Sequence, residues 1–188
     1  MNATQSPDDL DFTSVFDQPA QPAPSLEASS EAEKEEVTAG AAELQSSGYY
    51  INIAQKAKKV APLASRYSIL CIEDDAGLLG ILAKKLTLDG YTVRTASDRQ
   101  TIVAELQRLP PPHLILLDVG LPGVSGFDVL KKLRQHPKLG AVPVIMLTGH
   151  VTPASVLQGM QGGADGYVSK PFQFDALTAA IETVLGIR

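Results

Sequence analysis

Between Ser65 and Arg188, five short runs of β-branched and apolar residues alternate with segments whose apolar residues recur at helical spacing. That alternation marks a βαβ series around a parallel sheet. The runs are Ser68 to Ile72, Tyr91 to Thr95, His113 to Leu117, Val142 to Leu147 and Gly166 to Ser169. The first, third and fourth are nearly continuous apolar stretches, as central strands covered on both faces require. Between and after them, Leu78, Leu82 and Leu86 recur at one helical spacing, and Leu177, Ala180, Ile181, Val184 and Leu185 at another, each set giving one buried stripe. The boundary residues agree: Gly90 suits a left-handed helix end, Ser97 with Gln100 reads as a capping box, and Thr152 with Pro153 reads as an N-cap and first helical residue. The spacing predicts a (βα)5 doubly wound α/β domain with a five-stranded parallel sheet over residues 66–188. Its ligand site is expected at the carboxyl ends of the strands.

The rest of the chain has a different texture. With 188 residues, 44% of them hydrophobic, the chain supports one main core and an extension. Its net charge of −5 is uneven: residues 1–64 hold ten acids and four bases, and residues 65–188 eleven acids and twelve bases. Residues 1–36, rich in Pro, Ser, Ala, Asp and Glu, are expected to be a disordered acidic tail, because burial there cannot offset the entropy of ordering. Residues 37–65 read as a linker or docking segment. Within it Ala41 to Gln45 could form a helical turn and Tyr49 to Ile53 a short strand, with an unstructured linker preferred. Lys56, Lys58 and Lys59 lack an aromatic platform, so direct nucleic-acid binding is not expected. No apolar stretch approaches the roughly 20 residues that cross a bilayer, and Asp8, Asp9 and Asp11 stand where an export signal needs basic and apolar regions. No membrane insertion is expected, and the cytoplasm is the expected compartment. The single cysteine, Cys71, lies in an apolar run and reads as core.

The strand ends carry the chemistry. Glu73, Asp74 and Asp75 follow the first strand, Asp118 the third, Thr148 and Gly149 the fourth, and Lys170 and Pro171 the fifth. Taken singly, each has an ordinary explanation as a turn opener, a cap or a solvated lysine. Taken together, they place up to four carboxylates, a hydroxyl and an ammonium around one crevice. Two like charges about 4–5 Å apart repel by roughly 3–4 kcal/mol at an effective dielectric near 20, which one lysine cannot balance across several pairs. A small hard cation can, and Mg²⁺ takes few protein ligands while leaving positions for a phosphoryl oxygen. The crevice therefore reads as a site for Mg²⁺ and phosphoryl transfer.

This residue set closely resembles the receiver domain of two-component response regulators, over nearly all of residues 65–188 and none of the tail. Glu73 and Asp74 match the acidic pair. Asp118, in the run to Gly126 that contains Gly120, Pro122 and Gly123, matches the phospho-accepting position. Thr148, Tyr167, Lys170 and Pro171 match the remaining signature. From Asp74 to Asp118 is 44 residues, from Asp118 to Thr148 is 30, and from Thr148 to Lys170 is 22, similar to the family's spacings.

The resemblance implies a flavodoxin-like receiver fold. It also implies Asp118 as phosphoacceptor, and Glu73, Asp74, Asp118 and the Gly120 carbonyl as Mg²⁺ ligands. Thr148 and Lys170 would bind phosphoryl oxygens, Thr148 and Tyr167 would form the switch, and a cis peptide would precede Pro171. Thr148 is expected to move toward the phosphoryl group and let Tyr167 turn inward, altering the face made by the fourth helix, fifth strand and fifth helix. Gly159, Gly162 and Gly163 suggest that this fourth helix is short or frayed. Gly120 and His150 stand where the family sets phosphoryl lifetime, which stays open.

The implied partners are a cognate histidine kinase or histidine phosphotransfer protein and a downstream protein on the switching face, with a homodimer left open. The chain is read as a phosphoacceptor signalling protein that assists only its own phosphorylation and dephosphorylation, not as an enzyme. A flavodoxin-like nucleotide binder would need a Gly-, Ser- or Thr-rich loop where this one is acidic. A haloacid dehalogenase-type phosphatase would need a second Asp at Gly120. The remaining alternative is a non-phosphorylated binding module or scaffold whose N-terminal arm carries the output. No effector is expected after the fifth helix, so the output is sought on the receiver face or in that arm.

Overall fold

The structure, a computed structural model, describes residues 12–17, 26–51 and 66–187. In chain order its helices and strands are α1 (Glu31–Ser47), β1 (Tyr49–Ile51), β2 (Ser68–Ile72), α2 (Ala76–Leu88), β3 (Thr92–Ala96), α3 (Arg99–Gln107) and β4 (Leu114–Asp118). There follow α4 (Gly126–Gln135), β5 (Val144–Thr148), α5 (Pro153–Gly162), β6 (Gly166–Ser169) and α6 (Phe174–Leu185). The sheet order is β1-β6-β5-β4-β2-β3, with β1 antiparallel to β6 and all other pairs parallel.

Side chains alternate between the two faces, as the twofold period of a strand requires. Leu70, Ile72, Ile115, Leu117, Val144, Met146 and Tyr167 pack with α3, α4 and α5. Ile69, Cys71, Leu114, Leu116, Ile145, Leu147 and Val168 pack with α2 and α6. Cys71 is core, as expected, and burial pushes its thiol up to about 12, which keeps it unreactive.

The sheet has six strands rather than the expected five, and residues 31–51 are ordered where tail and linker were expected. The physical reasons are local. Ser30 and Glu33 form a capping box that starts α1. Its buried residues, Val37, Gly40, Ala41 and Leu44, make a stripe too narrow and too rich in small residues to stand out from the acidic surroundings. Most of the stability of such a helix comes from packing of its buried face rather than from propensity. Burial of Val37 and Leu44, worth about 1.5–3 kcal/mol each, helps to fix it against α5. Tyr50 and Ile51 are both buried where β1 pairs along β6. Further upstream, a 3-10 turn at Phe12–Val15 rests on α3 and α4, with Phe12 stacked on His136 and Arg99 paired to Asp17 at 2.9 Å. Leu26–Ala28 forms a second 3-10 turn, against α5. Residues 1–11, 18–25 and 52–65, including Lys56, Lys58 and Lys59, lie outside the described residues.

Two smaller expectations shift. The cap of α3 is Asp98, whose carboxylate accepts the Thr101 N–H at 2.9 Å, in place of Ser97 with Gln100. Helix α5 runs for ten residues from its Thr152 cap and ends at Gly162 and Gly163, where the glycines cluster. Gly159 passes directly over Tyr167, where an added Cβ would lie 1.7 Å from the phenol oxygen. Gly163 is the left-handed cap.

Candidate functional site

Parallel register brings the ends of β2, β4, β5 and β6 to one edge. Ile72 pairs with Leu117, Asp118 with Leu147, and Thr148 with Ser169, so the residues that follow these positions converge. Asp118 ends β4 and is almost fully buried, and Glu73, directly after β2, is more so. The start of α4 comes so close to the end of β4 that a Cβ on Gly126 would lie 2.1 Å from the Asp118 carbonyl oxygen, which only glycine accommodates.

Lys170 reaches into this cluster. Its Nζ lies 2.9 Å from Asp118 Oδ1 and 2.6 Å from Glu73 Oε2. Its backbone N–H donates to the Thr148 carbonyl at 2.6 Å, which ties the two phosphoryl-binding candidates together through the main chain. The Lys170–Pro171 peptide is cis. Burial alone would lower the Lys170 ammonium, but its close pairing with the Glu73 and Asp118 carboxylates outweighs this and raises its pKa. Burial pushes the Glu73 carboxyl up and prevails; Lys170 works against this more strongly than the Asp118 charge adds to it.

Glu73, Asp74 and Asp118 each present a carboxylate oxygen within 4.8 Å of the others, with Asp74 exposed at the mouth. Glu73 Oε2 is fully enclosed, and its contact with Lys170 is an ion pair without a well-directed hydrogen bond. A buried carboxylate oxygen left in that condition suits a cation better than a solvent-facing role. On the other side of Asp118, Gly120 leaves room: a Cβ there would approach Oδ2 at 3.8 Å. Asp75 stands apart, its Oδ1 accepting the Leu78 N–H at 3.0 Å as the cap of α2.

The Thr148 and Tyr167 hydroxyls are bonded to backbone groups of His150 and Val156. The Thr148 hydroxyl donates to the His150 carbonyl at 2.9 Å and accepts the His150 N–H at 3.1 Å, so it is committed to its own loop. Tyr167 is only 1% exposed, and its hydroxyl donates to the Val156 carbonyl of α5 at 3.1 Å. Sequence reasoning missed what covers it: the Tyr50 ring stacks on Tyr167 with centroids 6.3 Å apart. The signal available was the aromatic and β-branched run at Tyr49 to Ile51, which reads equally well as an edge strand.

An apolar groove of about 700 Å³ opens beside Lys170, lined by Leu78, Ile81, Pro171, Phe172 and Phe174 with Asp75 at its rim. Ile81 is more than half exposed there. Among the described residues, no helix is long and apolar enough to cross a membrane.

Comparison with known proteins converges on one family. Residues 69–182 match the response regulator receiver domain. The transcriptional regulatory protein AfsQ1 of Streptomyces coelicolor is 41% identical over 118 residues, 63% of this chain and 51% of that protein. The DNA-binding dual master transcriptional regulator RpaA of Synechocystis is 36% identical over 120 residues, 62% of this chain and 48% of that one. Among solved structures, the chemotaxis protein CheY4 of Vibrio cholerae superposes with a TM-score of 0.61 at 28% identity, covering 64% of this chain and all of that one. The chain spans about half the length of the curated relatives it matches, and the family match begins after α1 and β1.

Proposed function

Because the chain belongs to the response regulator receiver domain family of two-component systems, we propose that it accepts a phosphoryl group on Asp118 from a histidine kinase or histidine phosphotransfer protein and signals through altered protein–protein binding. Its fold is the flavodoxin-like receiver arrangement. The observation that carries the reading is the Asp118 carboxylate, buried at the end of β4 with Lys170 on Oδ1 and two further carboxylates beside it.

An Asp118 oxygen attacks the phosphorus, an acyl phosphate bond forms, and the bond to the donor's imidazole nitrogen breaks, leaving the electron pair on that nitrogen. Lys170 Nζ, already 2.9 Å from Asp118, supplies positive charge to the incoming phosphoryl oxygens. Thr148 serves the same oxygens once its hydroxyl leaves the His150 carbonyl. Glu73, Asp74, Asp118 and the Gly120 carbonyl are the residues that would hold Mg²⁺. Bound there, the ion neutralises the carboxylates and the charge spread over the transferring group. The apolar groove beside Lys170 gives a donor protein a surface next to the acceptor. We read the chain as a phosphoacceptor that assists only its own phosphorylation and dephosphorylation.

The output is placed on the face of α5, β6 and α6. A second reading, a binding module whose N-terminal arm carries the output, is favoured by one observation: α1 and β1 lie on that same face. Intact mass after incubation with acetyl phosphate separates the two. The phosphoacceptor reading expects a Mg²⁺-dependent gain of one phosphoryl group, abolished by Asp118→Asn. The binding-module reading expects none.

A further inference from the structure

Resting on that reading, we propose that residues 31–51 form a resident clasp, in which α1 and β1 occupy the α5–β6–α6 face in cis and their seating opposes phosphorylation of Asp118. The face takes a helix followed by an antiparallel strand. This chain supplies both, and phosphorylation uncovers the face by loosening them.

The occupancy is specific. β1 takes the edge of β6 in the register Tyr49 to Val168, Tyr50 to Tyr167 and Ile51 to Gly166. α1 lies along α5, with Val37, Ala41 and Leu44 buried. Gly40 of α1 lies against the Tyr50 ring, so closely that an added Cβ would come within 2.9 Å of it, and Tyr50 in turn covers Tyr167.

The clasp is also bonded to both loops that the phosphoryl group would engage. Gln45 Nε2 donates to the Val151 carbonyl at 3.4 Å, in the loop that Thr148 begins. The Gly48 carbonyl accepts the Ser169 N–H at 2.9 Å and its hydroxyl at 3.4 Å, one residue before Lys170. In this arrangement the Thr148 hydroxyl holds His150, and His150 adjoins the residue that Gln45 grips. Drawing Thr148 toward a phosphoryl group breaks its bond to the His150 carbonyl and displaces the acceptor of Gln45. Any turn of Tyr167 removes the platform under Tyr50. Two sites that bias one arrangement in opposite directions must each weaken the other.

Hydrogen exchange on the full chain, with and without acetyl phosphate and Mg²⁺, tests this, with intact mass recorded on each sample. Phosphorylated protein is expected to exchange the amides of β1 and the last turn of α1 about tenfold faster, while β2 and β4 stay protected. Gly40→Leu is expected to unseat the clasp beforehand, giving fast β1 exchange without phosphate and phosphorylation severalfold faster than the parent. Protection across β2 to β5 reports that the variant is folded. If it is not, the wild-type comparison decides by itself. A phosphoryl gain with β1 exchange unchanged or slowed overturns the clasp and leaves the phosphoacceptor reading intact. No phosphoryl gain from acetyl phosphate or from a histidine phosphotransfer protein overturns both.

Discussion

Lys170 and Asp118 form an ion pair, Nζ to Oδ1 at 2.9 Å, and the same ammonium lies 2.6 Å from Glu73. One cation thus holds together two buried carboxylates at the ends of different strands. Lys170→Met leaves them facing each other uncompensated, which costs about 3–5 kcal/mol when one partner of a buried pair is removed. The variant is expected to melt lower than the parent in chelator and to regain more of its stability than the parent does on adding Mg²⁺. Thermal unfolding with and without the ion checks this; equal recovery in both proteins contradicts it.

A second buried pair is structural. Asp165 Oδ2 meets Arg134 Nη2 at 2.8 Å and accepts the Val144 N–H at 2.8 Å, at the edge of the sheet opposite the Asp118 end. Burial lowers the Arg134 pKa and the Asp165 charge works against that lowering, so removing the carboxylate strands the guanidinium. Asp165→Ala is expected to lose about 3–5 kcal/mol in denaturant unfolding, and Asp165→Asn less.

The approach of α4 to the end of β4 is equally testable. Gly126→Ala sets a methyl 2.1 Å from the Asp118 carbonyl oxygen. Backbone must shift, at a cost of about 1–3 kcal/mol, and the shift moves Asp118 itself. Lower stability together with slower phosphorylation is the expected outcome, read by denaturant midpoint and intact mass.

Acid stability depends partly on Glu105. Burial alone would raise its pKa, but hydrogen bonds and charge from Arg94 and Arg108 outweigh burial and bring it below the ordinary 4.5. A carboxyl with a depressed folded-state pKa contributes stability above its unfolded value, and that stability is lost as pH falls through the folded one. Glu105→Gln is therefore expected to cost about 1.5–3 kcal/mol at neutral pH. The gap to the parent should close as the pH falls below about 4. A gap independent of pH in urea unfolding contradicts the assignment.

The legible part of this molecule was the part governed by period and by charge. The continuous apolar runs at Ile69–Ile72 and Leu114–Leu117 could only be central strands, and acidic groups at their ends could only meet at one edge. The clustering of Glu73, Asp74, Asp118 and Lys170 follows from that geometry. The hydroxyl of Thr148 and the ring of Tyr167 were not legible in position, because each is fixed by partners distant in sequence or by a local loop bond. The clasp was half legible: Tyr49–Ile51 carried a strand signal, but only the open edge of β6 makes it pair. In α1, Gly40 and Ala41 hide the buried stripe, since small residues that permit close approach add little hydropathy.

The central claim is tested most directly by finding where the phosphoryl group goes. After incubation with acetyl phosphate and Mg²⁺, borohydride reduction converts an acyl phosphate to an alcohol and marks its carboxylate, which peptide mass mapping then locates. The mark is predicted at Asp118 alone, dependent on Mg²⁺. A mark confined to other carboxylates, or none with any donor including a histidine phosphotransfer protein, would contradict it.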